Sequence, residues 1–235
     1  MSQQPATFWE HLDELRSRLW RMVVAALASA VVCFCFKEPL FAVVLAPKGA
    51  DIHLVNIEIA QQFLTHMRVS LWAGIIIVSP YLLYQLFAFV APGLYDLERR
   101  LTLRAVGAAY LLFLAGLLLN YFVIFPFSVH FLATYQVSPD VANHISLSSY
   151  ISLFTLLSLL LGVLFEIPVV CWLLARFGVL HAAAMRRYRR HALVAILIVA
   201  AVITPTGDPV TLSLVAVPIY LLYEVSAYLV PRATA

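Results

Sequence analysis

The chain reads as an all-α membrane protein: six transmembrane helices in a kinked bundle with a concave face and both termini cytoplasmic. Three observations predict this. Of its 235 residues 63% are apolar and only 11% charged, against about 45–50% and 25% in soluble domains. The apolar residues fall into long runs separated by short polar segments. The arginines sit in alternate segments.

A hydrocarbon core of about 30 Å needs roughly 20 helical residues, and such runs lie at about 19–36, 63–90, 101–125, 148–177, 192–203 and 210–230. Lipid offers no partner to a backbone amide, so each crossing must be a helix. Short positive loops stay in the cytoplasm. Arg16, Arg18, Arg21, Arg99, Arg100, Arg104, Arg176, Arg186, Arg187, Arg189, Arg190 and Arg232 make twelve on one side, against Lys37, Lys48 and Arg68 on the other. Twelve against three places both ends in the cytoplasm. The net charge of +3 is therefore a topological signal, and no basic face of the kind that binds nucleic acid is present.

No linker or repeat divides residues 1–235, so one domain is expected. Residues 1–18 form a cytoplasmic amphipathic segment. Thr7 and Glu10 have capping-box spacing, while Phe8, Leu12, Leu15 and Leu19 make an apolar stripe opposite Glu10, Asp13 and Glu14. That segment should lie along the inner surface and then turn into the membrane. The first apolar run is not a cleaved signal, because Ala28-Ser29-Ala30 falls in its middle and acidic residues precede it. Cys33, Cys35 and Cys171 lie within apolar helices and read as small core residues.

Pro80, Pro168 and Pro218 fall inside apolar runs and Pro126 toward the end of one, each removing a backbone donor and disfavouring a straight helix. The fifth run, Ala192 to Ile203, spans only about 18 Å at 1.5 Å per residue. Three readings remain open: a thinned bilayer, a helix starting lower with Arg189 and Arg190 snorkelling, and a re-entrant hairpin.

Enzymatic motifs are missing, the seven histidines are scattered, and no catalytic residue, metal or cofactor is expected. Glu166 is the sharpest anomaly, about 11 residues or roughly 16 Å from the inner end of its helix. A charged carboxylate there costs at least about 2.5 kcal/mol. It is expected protonated or hydrogen-bonded, either tied to a neighbouring helix or the Leu164 carbonyl, or acting as a docking point for another chain. Glu224 lies near the inner end of the last run, where its side chain can reach the headgroups. Asp208, followed by Pro209, suits the amino-terminal cap of the last helix. Glu98, at the start of the third, is favourable there on electrostatic grounds alone.

Two segments together carry more. His11-Leu-Asp-Glu-Leu-Arg-Ser-Arg-Leu19 and Phe89-x-x-Pro-Gly-Leu-Tyr-x-x-Glu-Arg-Arg100 closely resemble the cytoplasmic signatures of the TatC family of the twin-arginine protein translocase. Phe165-Glu-Ile-Pro168, Ile203-Thr-Pro205 with Asp208, and Pro218-x-x-x-Leu-Tyr-Glu224 resemble it in the same order. The likeness implies a receptor and core scaffold in the bacterial cytoplasmic membrane. Such a receptor binds twin-arginine signal peptides of folded cargo and recruits single-span TatA-type and TatB-type partners for proton-gradient-driven export, as a homo- or hetero-oligomer. It implies that Glu14 and Glu98 contact the arginine pair, with Arg16, Phe89 and Pro92 shaping that surface. Two carboxylates suit two guanidinium groups, which bind them bidentately where lysine fits poorly. It further implies that Glu166 faces a concave side, and that Thr204, with Asp208 nearby, belongs to a polar patch that receives a partner helix. Gly207 is an extra residue before Asp208, and Leu212 stands where many members have glutamine, which weakens that patch. The rival reading is a secondary transporter or channel for a small solute using Glu166, although related halves with matching broken helices are absent.

Overall fold

The computed structural model describes residues 8–49, 52–90, 99–135, 138, 144–204 and 208–230. Helices dominate them. The first, α1 (Phe8–Phe34), is a single 27-residue helix. The expected turn between the amphipathic segment and the membrane is not there, because no glycine or proline interrupts residues 8–34 and the intrahelical ladder has no reason to open. Thr7 lies outside the described residues. A short α2 (Lys37–Leu45), not anticipated from the sequence, follows.

The long α3 (Gln61–Val90) runs unbroken through Pro80. Proline at 80 deprives the Ile76 carbonyl of its helical donor, and the Ser79 hydroxyl donates to that oxygen at 2.7 Å. Lipid would supply no substitute. The next helix, α4 (Arg99–Leu119), passes through a π turn at Asn120–Ile124 into α5 (Phe125–Thr134). This apolar stretch extends beyond the expected end at 125. Ahead of Pro126 the Phe125 amide donates to the Asn120 carbonyl, five residues back, so the missing proline donor is absorbed by a widened turn. That turn aims the Asn120 side chain at Ser158 Oγ, 2.8 Å away.

The expected fourth run divides. Helix α6 (Leu147–Leu164) ends at Phe165 and Glu166, and α7 (Ile167–Arg176) begins with Pro168 in its first turn. Proline at that position tolerates the lack of an amide donor, so a new helix start is favoured over a kink. A six-residue α8 (Ala182–Arg187) leads into α9 (Arg189–Ile203), and α10 (Pro209–Leu229) completes the chain. Helix α9 starts three residues before the expected Ala192 and, at 15 residues, reaches roughly 22 Å. Among the described residues five stretches are long and apolar enough to cross a membrane: Leu12–Phe34, Gln61–Phe89, Leu103–Thr134, Leu147–Arg176 and Pro209–Leu229. The short α9 is not among them.

Two very short strands, β1 (Leu54–Val55) and β2 (Ile145–Ser146), pair in parallel with Leu54 opposite Ile145, a tie between connecting segments that an all-helical reading omits. The core lies beneath them. Phe125 packs edge-on against Tyr150 and Phe154 with centroids 5.0 and 4.9 Å apart, and Trp72 meets Phe154 at 5.0 Å. The buried Tyr150 hydroxyl donates to the Val44 carbonyl at 3.1 Å, which fixes α2 on α6. Elsewhere glycine lets backbones touch, as is usual between helices in lipid. A Cβ on Gly74 of α3 would lie 2.6 Å from the Ala30 amide nitrogen of α1, and one on Gly116 of α4 would lie 2.6 Å from the Leu161 carbonyl of α6.

Candidate functional site

Helix α1 packs along α3, and the amino-terminal half of α1 shares a polar cluster with the carboxy-terminal end of α3. Glu14 Oε1 accepts from Arg18 Nε at 2.9 Å and Nη2 at 2.6 Å. Arg18 Nη1 donates to Gln85 Oε1 at 2.9 Å, and Gln85 Nε2 donates to the Tyr81 hydroxyl at 2.8 Å. The guanidinium thus bridges the two helices. Gln85 is buried, and its amide is held from both ends. Arg16, two residues from Arg18, is exposed and faces away from this cluster. Phe89 is half-buried in the last turn of α3, one turn beyond Gln85. Pro92 and Glu98 lie outside the described residues.

Neither Arg18 nor Gln85 stood out as a site residue in the sequence. Arg18 counted toward orientation and stood in the His11–Leu19 segment without a role of its own, and Gln85 passed as part of an apolar run. The available signal was Gln85 itself, an amide in Tyr81-Leu-Leu-Tyr-Gln-Leu-Phe87 that burial obliges to find partners.

The intramembrane candidates are dispersed. Glu166 is 9% exposed at the break between α6 and α7, and its Oε1 has no hydrogen-bond partner. Among the described residues no hydrogen bond ties this oxygen to the Leu164 carbonyl or to a neighbouring helix. The Thr204 hydroxyl, at the end of α9, donates back to the Ala200 carbonyl at 2.9 Å. Asp208 caps α10, its Oδ1 accepting from the Thr211 amide at 2.7 Å. Gly207 lies outside the described residues, and Leu212 packs against the core. The nearby Thr211 Oγ1 is buried without a partner.

A second ion pair closes the base of the short helix. Arg189 Nη2 contacts Glu224 Oε2 at 2.8 Å, and the Tyr220 hydroxyl donates to Glu224 Oε1 at 3.1 Å. Glu224 is therefore tied to α9. Because Arg189 opens α9, this pair also explains why that helix starts before its apolar run.

Several apolar helices and a cationic end stitched to carboxylates define a multi-pass membrane protein, and comparison with known proteins narrows the class to a protein translocase component. The family model of the Sec-independent protein translocase protein TatC matches residues 10–218. The chain is 36% identical over 231 residues to the Sec-independent protein translocase protein TatC of Deinococcus radiodurans, covering 95% of this chain and 85% of the relative. To that of Helicobacter pylori strain 26695 it is 40% identical over 217 residues, covering 92% and 84%. A crystal structure of the twin-arginine translocase receptor TatC in DDM superposes with a TM-score of 0.85 at 31% identity, covering 94% of this chain and 100% of that one. The chain belongs to the TatC family. It is a translocase component of the Sec-independent pathway, not an enzyme.

Proposed function

We propose that this protein is the cargo receptor of a twin-arginine translocase, in which Glu14 and Glu98 bind the two arginines of an incoming signal peptide and Arg16, Phe89 and Pro92 shape the surface around them. The observation that carries the reading is that Glu14 already grips a guanidinium through two donors of Arg18. A carboxylate so placed, at the inner end of α1, is preorganised for arginine rather than for a point-charge ammonium. Cargo arginine then exchanges with Arg18, and the released Arg18 stays tethered to Gln85.

In the same reading the chain is one domain that crosses the bacterial cytoplasmic membrane six times with both termini inside, α9 being the short fifth crossing. The twelve-to-three partition of basic residues supports that orientation. TatA-type and TatB-type helices dock beside Glu166, Thr204 and Asp208, and the proton gradient drives export. The unpartnered Glu166 oxygen supports a docking role, and the family match favours protein export over small-solute transport.

The test is binding of a twin-arginine signal peptide to the purified protein. The joint variant Glu14→Ala, Glu98→Ala is expected to lose at least tenfold in affinity, since a charge-assisted hydrogen bond contributes about 1.5–3 kcal/mol. Unchanged affinity sinks the site assignment. Blocking of single cysteines by an impermeant reagent only from outside the cell at residue 10 or 230 sinks the orientation.

A further inference from the structure

Between α4, α7 and α10 lies a slot of about 270 Å³, lined by Arg104, Ala108, Leu112, Val169, Trp172 and Leu229 among others. Among the described residues Arg104 is the one charged residue in its wall, and no acidic residue lines it. Beside it, the Arg176 guanidinium carbon sits 5.3 Å from the centroid of the Trp172 ring. Arg104 therefore lines the slot, and Arg176 stands over Trp172, one of its wall residues.

Their surroundings separate them from the paired arginines of this protein. Arg18 is neutralised by Glu14 and Arg189 by Glu224. Among the described residues neither Arg104 nor Arg176 has a carboxylate partner, and both are exposed. Trp172, half-buried between them, presents an apolar body to the slot, as interfacial tryptophans do beside headgroups.

We propose that this slot binds one anionic phospholipid. Its phosphate and negatively charged headgroup lie against Arg104 and Arg176, and the upper part of one acyl chain enters between Ala108, Leu112, Val169 and Leu229. Charge complementarity selects the occupant. Guanidinium groups bond phosphate oxygens bidentately, and two cations with no carboxylate partner among the described residues favour a headgroup with net negative charge over a zwitterionic one. The walls offer no polar partner to the peptide of an unpaired backbone, which disfavours an irregular protein segment.

The full-length protein is purified in detergent, and retained lipid is measured by native mass spectrometry during titration with phosphatidylglycerol and, separately, phosphatidylcholine. Phosphatidylglycerol is expected to bind preferentially. Roughly fivefold of that preference per arginine is expected to be lost in Arg104→Gln and Arg176→Gln, and Arg104→Lys is expected to keep most of it. Ala108→Trp, which fills the slot, is expected to weaken both lipids. A photo-crosslinker at Ala108 in bilayer nanodiscs should carry a phospholipid adduct, which checks occupancy in the otherwise unaltered fold. Equal binding of the two lipids overturns the proposal, as does preference unchanged in the double glutamine variant. Competition by inorganic phosphate at the same concentration as lipid would mean a simple anion site, and a crosslink to a second copy or to added signal peptide would mean a protein-docking groove. Either result overturns it.

Discussion

Arg18 and Glu14 are held together by two hydrogen bonds to one carboxylate oxygen, 2.9 Å from Nε and 2.6 Å from Nη2, within a single helix. Four residues separate them along α1, the spacing that brings side chains onto one face. The pair is part-exposed, so breaking it costs little. Exposed pairs of this spacing contribute about 0.3–0.5 kcal/mol. If cargo arginine must displace Arg18, Arg18→Gln is expected to raise affinity for a twin-arginine signal peptide about twofold, while Glu14→Ala lowers it. Titration calorimetry on the two variants gives the answer. A fall in affinity with Arg18→Gln would mean that Arg18 itself supports cargo.

Ser79 is expected to matter only because of Pro80. Its hydroxyl caps the Ile76 carbonyl that the proline leaves without a donor, and hydrogen bonds of this kind in membrane helices contribute about 0.6 kcal/mol on average and up to about 1.7. Ser79→Ala should destabilise the protein by that amount in the wild-type background and by much less in a Pro80→Ala background, where the backbone amide returns. A double-mutant cycle by thermal unfolding in detergent checks this. Equal losses in both backgrounds exclude the pairing.

Gly74 sets the distance between α1 and α3. A methyl group there would stand 2.6 Å from the Ala30 nitrogen and 2.8 Å from its Cα, and backbone cannot yield as a side-chain tip can. Gly74→Ala is expected to cost about 1–3 kcal/mol, as overpacking does. Gly107→Ala is the control, since nothing lies within 4 Å of its added Cβ and alanine is the better helix former; it should be neutral or mildly stabilising. Because α1 carries Glu14 and α3 carries Gln85, Gly74→Ala should also loosen the Arg18 bridge, visible as weaker signal-peptide binding.

The apolar helices were legible because lipid permits few alternatives: a long run without charge must be helical, and α3, α6 and α10 begin within about two residues of where the composition changes. What lipid does not decide was illegible. Pro168 marks a missing donor at one position, but whether the chain bends or restarts depends on the fit of Phe165 and Glu166 between other helices. The same holds for Pro126, where a π turn rather than a helix end resolves the deficit, and for the two-residue pairing of Leu54 with Ile145, too short to leave a periodic trace. At the site, Glu14 drew attention only through the resemblance of its segment to the TatC family. The Arg18 bridge to Gln85 was not legible, since it depends on which faces of α1 and α3 meet.

The pair Arg189 and Glu224 supplies the last prediction. Arg189 opens α9 and Glu224 lies in the second-last turn of α10, so their contact draws the base of the short helix onto its neighbour. Without it, the first turn of α9 keeps only local contacts such as Tyr188 with His191, because its own apolar run begins only at Ala192. Arg189 is part-exposed, which limits the bond to about 0.5–1 kcal/mol, too little to unfold the protein. Loss is expected to be local: Arg189→Gln should raise amide hydrogen exchange in residues 189–192 several-fold while leaving α3 and α6 unchanged. Glu224→Gln should do the same, and the two together should add little, since either one already breaks the contact. Additive effects would mean that the two residues act through separate partners.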